Sequence, residues 1–183
     1  NIAFIDEWTK YAESVGIDLF EVIDAISKRP THSNIRFPGL GVGGYCLTKD
    51  PTFTPTASKH FFGKELDFPF SRMAVRVNND MPLHTVARLK SLMNCPLFGK
   101  QILVCGVSYS QNVGDTRYSP SETLVRELTA QGADVVCHDP HILYWEELGI
   151  TLPKQLPTAT DLDAVIIAVP HQQYLDLDWA GWV

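Results

Sequence analysis

Between residues 37 and 51 the sequence reads Phe-Pro-Gly-Leu-Gly-Val-Gly-Gly-Tyr-Cys-Leu-Thr-Lys-Asp-Pro, with Gly39, Gly41, Gly43 and Gly44 followed closely by Cys46, Lys49 and Asp50. Backbone without a β-carbon can take up φ > 0 and approach a ligand closely. A thiol just after such a loop can attack what the loop holds, and a carboxylate four residues on can serve that covalent chemistry. Pro51, with Thr52 and Phe53 behind it, marks a helix or tight turn starting near Lys49. Cys46 then lies beside a helix N-terminus, where the dipole and the neighbouring ammonium of Lys49 favour thiolate.

Three readings of this stretch compete. Gly39-x-Gly41-x-x-Gly44 matches the dinucleotide fingerprint in form, but that fingerprint follows a buried strand, opens a helix and has an acid about 20 residues on. Residues 33–38, Ser-Asn-Ile-Arg-Phe-Pro, make a poor parallel strand, and no second strand ending in an acid follows. A plain glycine-rich surface loop beside a structural cysteine explains the glycines, yet leaves Cys46, Lys49 and Asp50 as coincidence. A substrate loop carrying a nucleophile accounts for all of them.

The elements that must hold this loop are legible on both sides of it. Residues 1–15 read as a helix with Ile2, Ile5, Trp8, Ala12 and Val15 near one face, ended by Gly16. Asp18 caps a second helix, Leu19 to Ser27, with Glu21 in capping-box position, and Arg29-Pro30 stops it. Residues 50–62 are helical but interrupted by Pro51 and Pro55, and Phe70 to Met93 form a long helix that Pro82 is expected to kink near Asn78.

The composition changes at residues 94–100. Beyond it come an apolar strand over 101–105 running into Gly106, and a helix from Ser119-Pro120-Ser121-Glu122 to Gln131. A strand over 134–138, a helix over 141–148, a weak strand over 150–152 and a strand over 164–169 complete the alternation. Fully apolar strands alternating with helices imply a parallel, doubly wound sheet, with order 3-2-1-4 for these four strands. The fold expected is therefore α/β, with an all-helical region at 1–96 and a Rossmann-like, C-terminally truncated domain at 97–183.

The chain has 183 residues, 45% hydrophobic and 20% charged, enough for a proper core in one large or two small domains. A net charge of −6 without a basic run argues against a nucleic-acid surface. The longest apolar run, 164–170, is far too short to span a bilayer. With no signal peptide at the start, a cytoplasmic location is the default. Cys46, Cys95, Cys105 and Cys137 show neither metal nor disulfide spacing, and Cys105 and Cys137, in strand-like runs, read as buried thiols. His138-x-x-His141 flanks an Asp-Pro turn and lacks the further ligands a metal site needs, so both read as turn residues. Arg117 with the helix start at Ser119 suits a pyrophosphate, and pairing of Arg117 with Asp115 explains it equally well. The first residue, Asn1, falls inside a helical pattern, and the chain is read as a fragment.

Gly39-x-Gly41-x-Gly43-Gly44-x-Cys46-x-x-Lys49-Asp50 resembles the signature of the nucleotide-sugar 6-dehydrogenases, the UDP-glucose/GDP-mannose dehydrogenase family. Family-like stretches follow in the same order: residues 1–7 (Asn-Ile-Ala-Phe-Ile-Asp-Glu), Val77-Asn78, residues 114–120 (Gly-Asp-Thr-Arg-Tyr-Ser-Pro) and His138-Asp139-Pro140. Pro-Gly followed by Val-Gly-Gly-Tyr-Cys, and residues 169–174, look more like members acting on UDP-N-acetylhexosamines such as UDP-N-acetylmannosamine and UDP-N-acetylglucosamine.

The resemblance implies oxidation of the C6 hydroxymethyl of a UDP-sugar to a carboxylate with NAD as cofactor. The NAD would be held mainly by an amino-terminal domain outside this chain, leaving the chain inactive alone. It implies Cys46 as nucleophile, Asp50 as the carboxylate that helps activate water, and Lys49 as a lysine beside the cofactor. Phe37, Pro38, Gly39, Leu40, Gly41, Val42 and Gly43 match the loop that wraps the sugar nucleotide. Tyr109 matches an aromatic substrate contact, and Cys46, Lys49 and Arg117 fall at cofactor contacts. The central helices imply a homodimer. The chain departs from the pattern at Ser110, where members usually carry a lysine. It departs again at Pro30, where a loop arginine is usual and Arg29 and Arg36 lie nearby.

Overall fold

The structure, a computed structural model, describes residues 1–182. Helix α1 spans Ile2–Val15 and is closed by Gly16 in the left-handed conformation. Helix α2 spans Leu19–Ser27, and the Asp18 carboxylate accepts the Phe20 N–H at 2.8 Å, satisfying one of the free donors of its first turn. Ile5 and Ala12 of α1 meet Leu19 and Ile23 of α2 in a small core that Ile35 covers. Trp8 and Val15, expected on the buried face, remain exposed together with Phe4 and Tyr11.

After a short 3-10 turn at Pro30–His32 the glycine stretch runs without regular structure into turns at 44–49. A 3-10 turn, Asp50–Thr52, leads directly into α3, Phe53–Phe62. Pro51 and Pro55 do not interrupt it. Both fall within a first turn, where a missing N–H costs nothing. Helix α4 runs from Pro69 to Met93, continuous through the buried Pro82. It packs along α1, where His84 Nε2 lies 2.8 Å from Glu13 Oε2.

Strand β1 (Gln101–Cys105), helix α5 (Pro120–Ala130) and strand β2 (Asp134–His138) follow. Next come the two-residue strands β3 (Tyr144–Trp145) and β4 (Ile150–Thr151), strand β5 (Ala164–Ile167), and short helices α6 (Gln172–Leu175) and α7 (Trp179–Trp182). The main sheet has the order β2-β1-β5, all parallel, with Gln101 opposite Asp134 and Ile102 opposite Ala164. Successive side chains of β1 point to opposite faces. Ile102 and Val104 pack with Leu124 and Leu128 of α5 and with Val86 of α4, while Leu103 and Cys105 pack with Tyr174 of α6 and Trp179 of α7. The sheet is thus covered on both faces, as the apolar strands require.

Two expectations are corrected. The segment 141–148 is not a helix, and 150–152 is not a third strand of the sheet. Instead β3 and β4 form an antiparallel ribbon, so the expected order 3-2-1-4 reduces to 2-1-4. The cause is local. The Asp139 side chain takes the His141 N–H at 2.8 Å, which holds the start of the segment in a turn. Gly149, at φ 66°, closes a tight return by donating to the Trp145 carbonyl. That return buries Trp145 and Ile142 in the main core, a better use of eight residues than two isolated helical turns. Strand β5 also ends at Ile167 rather than 169, where the chain bends across the end of β1.

Candidate active site

The glycine loop is pinned from two sides. On the helical side, the Val42 N–H donates to Asn78 Oδ1 at 2.7 Å and Asn78 Nδ2 donates to the Val42 carbonyl at 3.1 Å. The side-chain amide thus pairs with the loop as a neighbouring strand would. Pro82 has no N–H to offer the Asn78 carbonyl one turn back. A β-carbon on Gly41, whose φ is 124°, would sit 3.0 Å from that carbonyl oxygen. On the sheet side, the Gly44 N–H donates to the Arg117 carbonyl at 3.1 Å. A β-carbon on Gly43 would come within 2.6 Å of the Tyr118 carbonyl oxygen and 2.7 Å of Tyr109 Cβ, so a side chain has no room there.

Cys46 follows at once and is exposed. Its carbonyl accepts the N–H groups of Lys49 and Asp50 at 3.2 and 2.9 Å, which begins the turn leading through Asp50–Thr52 into α3. Cys46 thus opens a turn that lies four residues before the 3-10 turn and seven before α3, which begins at Phe53. The Lys49 ammonium lies 3.2 Å from Asp50 Oδ1 and over the rings of Tyr45 and Phe53, at 4.7 and 4.3 Å. Cysteine, cation and carboxylate are held on one short, open turn.

A crevice of about 180 Å³ lies where this loop meets the sheet. Gly39, Gly41, Ser108, Tyr109, Pro120 and Val169 are among its walls. It opens at the carboxyl ends of β1 and β5, on either side of which the chain leaves in opposite directions, the usual place for a ligand in an open α/β sheet. The helix start at Ser119 faces inward: Ser119 is buried and its Oγ accepts the Ser121 N–H. Ser119 Oγ also donates to the Ser108 carbonyl, and Ser121 Oγ to the Gly106 carbonyl.

The loop after β1 that carries Tyr109 is itself locked by a buried polar network. Asp139 Oδ2 accepts the Val107 and Ser108 N–H groups at 2.8 and 3.1 Å. The Asn112 N–H donates to His171 Nδ1 at 2.9 Å, so the ring proton is on Nε2, which faces Asp139 Oδ2 at 3.0 Å and Ser108 Oγ at 3.1 Å. Burial pushes the Asp139 carboxyl up, but the three backbone N–H groups and His171 outweigh it and hold it below the usual carboxylate range. Ser108, His171 and Asp139 meet through the same ring nitrogen and are closed to solvent, so they build a brace and not a nucleophilic triad.

The remaining candidates divide. Phe37 lies outside the crevice, its ring stacked on Phe20 at 5.5 Å. Leu40 packs into the main core. Pro38, Gly39 and Leu40 also border a larger cleft of about 390 Å³ against Met81, His84 and Arg88. Arg117 makes a two-pronged pair with Asp115, at 2.6 Å from Nη2, and is two-thirds exposed. That pair lowers the Asp115 carboxyl, and it is the loop-pinning arrangement that spacing alone left open. Cys105 and Cys137 are buried, with thiols pushed up to about 12 by desolvation. His138 bonds the Tyr174 hydroxyl at 2.8 Å, as a structural residue does. Among the described residues there is no group of three metal-ligating side chains, and no helix is long and apolar enough to cross a membrane. Sequence reasoning missed Asn78 as the loop's anchor, though Pro82 four residues on was a signal. It also missed the buried Asp6 and the Asp139–His171 brace, whose members are far apart in the chain.

Fold and site together define an α/β protein that presents a thiol-bearing loop at the end of its parallel sheet. Residues 1–80 match the central domain of the UDP-glucose/GDP-mannose dehydrogenase family, and residues 103–182 match that family's UDP binding domain. The chain belongs to this family. It is 34% identical over 97% of its length to a UDP-N-acetyl-D-mannosamine dehydrogenase of Methanocaldococcus jannaschii, covering 39% of that protein. To an NDP-N-acetyl-D-galactosaminuronic acid dehydrogenase of Ralstonia solanacearum it is 31% identical, covering 97% of this chain and 41% of the relative. The crystal structure of the NDP-N-acetyl-D-galactosaminuronic acid dehydrogenase from Methanosarcina mazei Go1 superposes with a TM-score of 0.81 at 30% identity, over 98% of this chain and 40% of that one. The chain thus spans about two-fifths of the length of the relatives it matches.

Proposed function

We propose that this chain is the cysteine-bearing and nucleotide-binding part of an NAD-dependent nucleotide-sugar 6-dehydrogenase. Its substrate is a UDP-N-acetylhexosamine in preference to UDP-glucose or GDP-mannose. The helical domain, 1–96, carries the nucleophile and the dimer surface, and the Rossmann-like domain, 97–183, receives the nucleotide. The observation that carries this reading is the docking of the Gly39–Gly44 loop on the Tyr109 and Arg117 loops, with Cys46 and Asp50 exposed and Lys49 half-buried just beyond. The names of the relatives support the substrate class.

The chemistry asked of these residues is definite. Oxidation of a C6 alcohol to an aldehyde removes a hydride and a proton. The Cys46 thiolate adds to the aldehyde carbon, and the oxygen takes a proton, giving a thiohemiacetal. Loss of a second hydride and that proton leaves a thioester on Cys46. Asp50 takes a proton from water, which attacks the thioester and releases the carboxylate and the thiol. NAD⁺, when bound, accepts the hydrides, two in each turnover. Of this chain, Lys49 and Arg117, paired with Asp50 and Asp115, are the cations that would lie beside it. Cut off from a cofactor domain, the chain binds but does not turn over. The location of the protein is cytoplasmic.

The test is an assay of the full-length protein against a panel of UDP- and GDP-sugars. The reading requires two NADH for each uronate formed, with a UDP-N-acetylhexosamine as best substrate. One NADH per turnover, or oxidation of none of the sugars, would overturn it.

A further inference from the structure

His171 is fully buried, follows directly on the crevice residues Val169 and Pro170, and holds the loop after β1 at two points that flank Tyr109. Its Nε2 faces Ser108 Oγ at 3.1 Å, and its Nδ1 accepts the Asn112 N–H at 2.9 Å. Asn112 stands at φ 57°, and its Oδ1 accepts the Gln172 N–H at 3.0 Å, which ties the loop to the histidine's own segment a second time. Between the two holds lie Tyr109, Ser110 and Gln111, all of them walls of the crevice. Tyr109 in turn occupies the space that β-carbons on Gly43 and Gly44 would need, at 2.7 and 3.0 Å. The position of this one loop therefore sets both the crevice wall and the surface on which the glycine loop rests.

Each hydrogen of this network has one place. Ser108 Oγ donates to the Ser110 carbonyl at 3.1 Å, so it meets His171 Nε2 as an acceptor. Nε2 carries the ring proton, directed at Asp139 Oδ2 as well, and Nδ1 is bare to receive the Asn112 N–H. A second proton, on Nδ1, would point at that N–H and break the hold. The titratable groups facing the ring are Asp139 at Nε2, His141 and Tyr174 with ring centroids at 4.9 and 5.6 Å, and His138, which acts through its charge. Burial holds His138 below the ordinary histidine range and pushes the Tyr174 hydroxyl up, so both stay neutral. A charged His141 opposes a second proton on His171, and the Asp139 carboxylate, in direct contact, draws one in. We propose that His171 is a positioning residue for the nucleotide sugar: its neutral ring holds the Tyr109 wall of the crevice in place, and protonation at Nδ1 releases that wall at Asn112. The inference rests on the nucleotide-sugar reading.

Calorimetric titration of the full-length protein with UDP-N-acetylmannosamine at about pH 8 and about pH 5.5, which bracket the ordinary titration of histidine, tests it. Both phosphates of this ligand are esterified and keep their charge over that range. Wild type is expected to bind about tenfold more weakly, or worse, at the lower pH. His171→Asn keeps an acceptor oxygen where Nδ1 stands and cannot take up a proton. It is expected to bind within about threefold of wild type at the higher pH and equally well at the lower one. His171→Leu leaves the Asn112 N–H without an acceptor and is expected to bind about tenfold more weakly at both. Cooperative melting of each variant checks the fold, and should His171→Leu not fold, the His171→Asn comparison decides by itself. A merely structural role would weaken binding in both variants and leave their pH profiles like that of wild type. Wild-type binding that is equal at the two pH values, or an equal loss in His171→Asn, overturns this proposal and leaves the nucleotide-sugar reading intact. If wild type binds the ligand at neither pH, that reading fails and takes this proposal with it.

Discussion

Cys46 differs from the chain's other cysteines in where its neighbours leave it. Cys105 and Cys137 lie in β1 and β2, where burial pushes their thiols up to about 12, and Cys95 is half-buried. Cys46 is exposed at the start of a turn that carries an ammonium three residues on. Brief alkylation at neutral pH, followed by peptide mass spectrometry, is therefore expected to label Cys46 first and Cys105 and Cys137 last. Earlier labelling of either strand cysteine would count against the assignment. Asp6 supplies a second prediction at this scale. Burial pushes its carboxyl up to about 6, above the ordinary 3.8 of an aspartate, so the folded state binds the proton more tightly. Stability from this group is then greatest below about pH 4, declines as pH rises to about 6, and stays reduced above that. The difference in unfolding free energy between wild type and Asp6→Asn should shift against wild type by on the order of 1–3 kcal/mol between pH 4 and 7. Asp139, held low, acts with the opposite sign and is lost only as pH falls through its depressed value. A pH-independent difference between wild type and Asp6→Asn would show that Asp6 is solvated.

The glycine loop is an element without regular structure, and its shape comes from what it is pressed between. Gly43→Ala places a methyl group 2.6 Å from a backbone oxygen that cannot swing away. Strain of this kind typically costs about 1–3 kcal/mol. Thermal melting should show that loss, and Cys46 alkylation should change with it because the Cys46 turn follows directly. Gly39→Ala, where nothing lies within 4 Å, is the control expected to change stability little. Equal effects from the two would mean the loop is not docked. The chemistry of this element was legible in the sequence, because glycine spacing and the Cys-x-x-Lys-Asp run are local. What the loop docks against was not. Asn78 and Val42 are 36 residues apart, and Asp139 and His171 are 32 apart, so only the folded chain brings them together. The helix expected over 141–148 failed for the same reason. A side-chain turn at Asp139 and the burial of Trp145 outweighed a short helical pattern.

At the scale of the whole molecule, helix pattern and apolar strands gave the α/β class and the central place of β1 correctly. Which apolar side chains stay uncovered was visible only in three dimensions. Phe4, Trp8, Tyr11 and Val15 of α1 are exposed, and Phe61, Phe62 and Phe70 near the α3–α4 junction are more than 70% exposed. Apolar patches of this extent mark interaction surfaces. We predict a two-fold dimer through the helical half, in which sedimentation equilibrium gives a concentration-independent species of twice 20.5 kDa. A monodisperse 20.5 kDa species at micromolar concentration would exclude it. The central claim, that Cys46 carries the substrate as a thioester which Asp50 helps to hydrolyse, has a more direct test. The full-length Asp50→Asn protein is mixed with NAD⁺ and a UDP-N-acetylhexosamine, quenched in acid, digested and weighed by mass spectrometry. The account predicts that the peptide containing Cys46 gains the mass of the acyl nucleotide sugar, and that Cys46→Ser forms neither this adduct nor uronate. Uronate formation by Cys46→Ser at the wild-type rate, or an adduct on any other side chain, would contradict it.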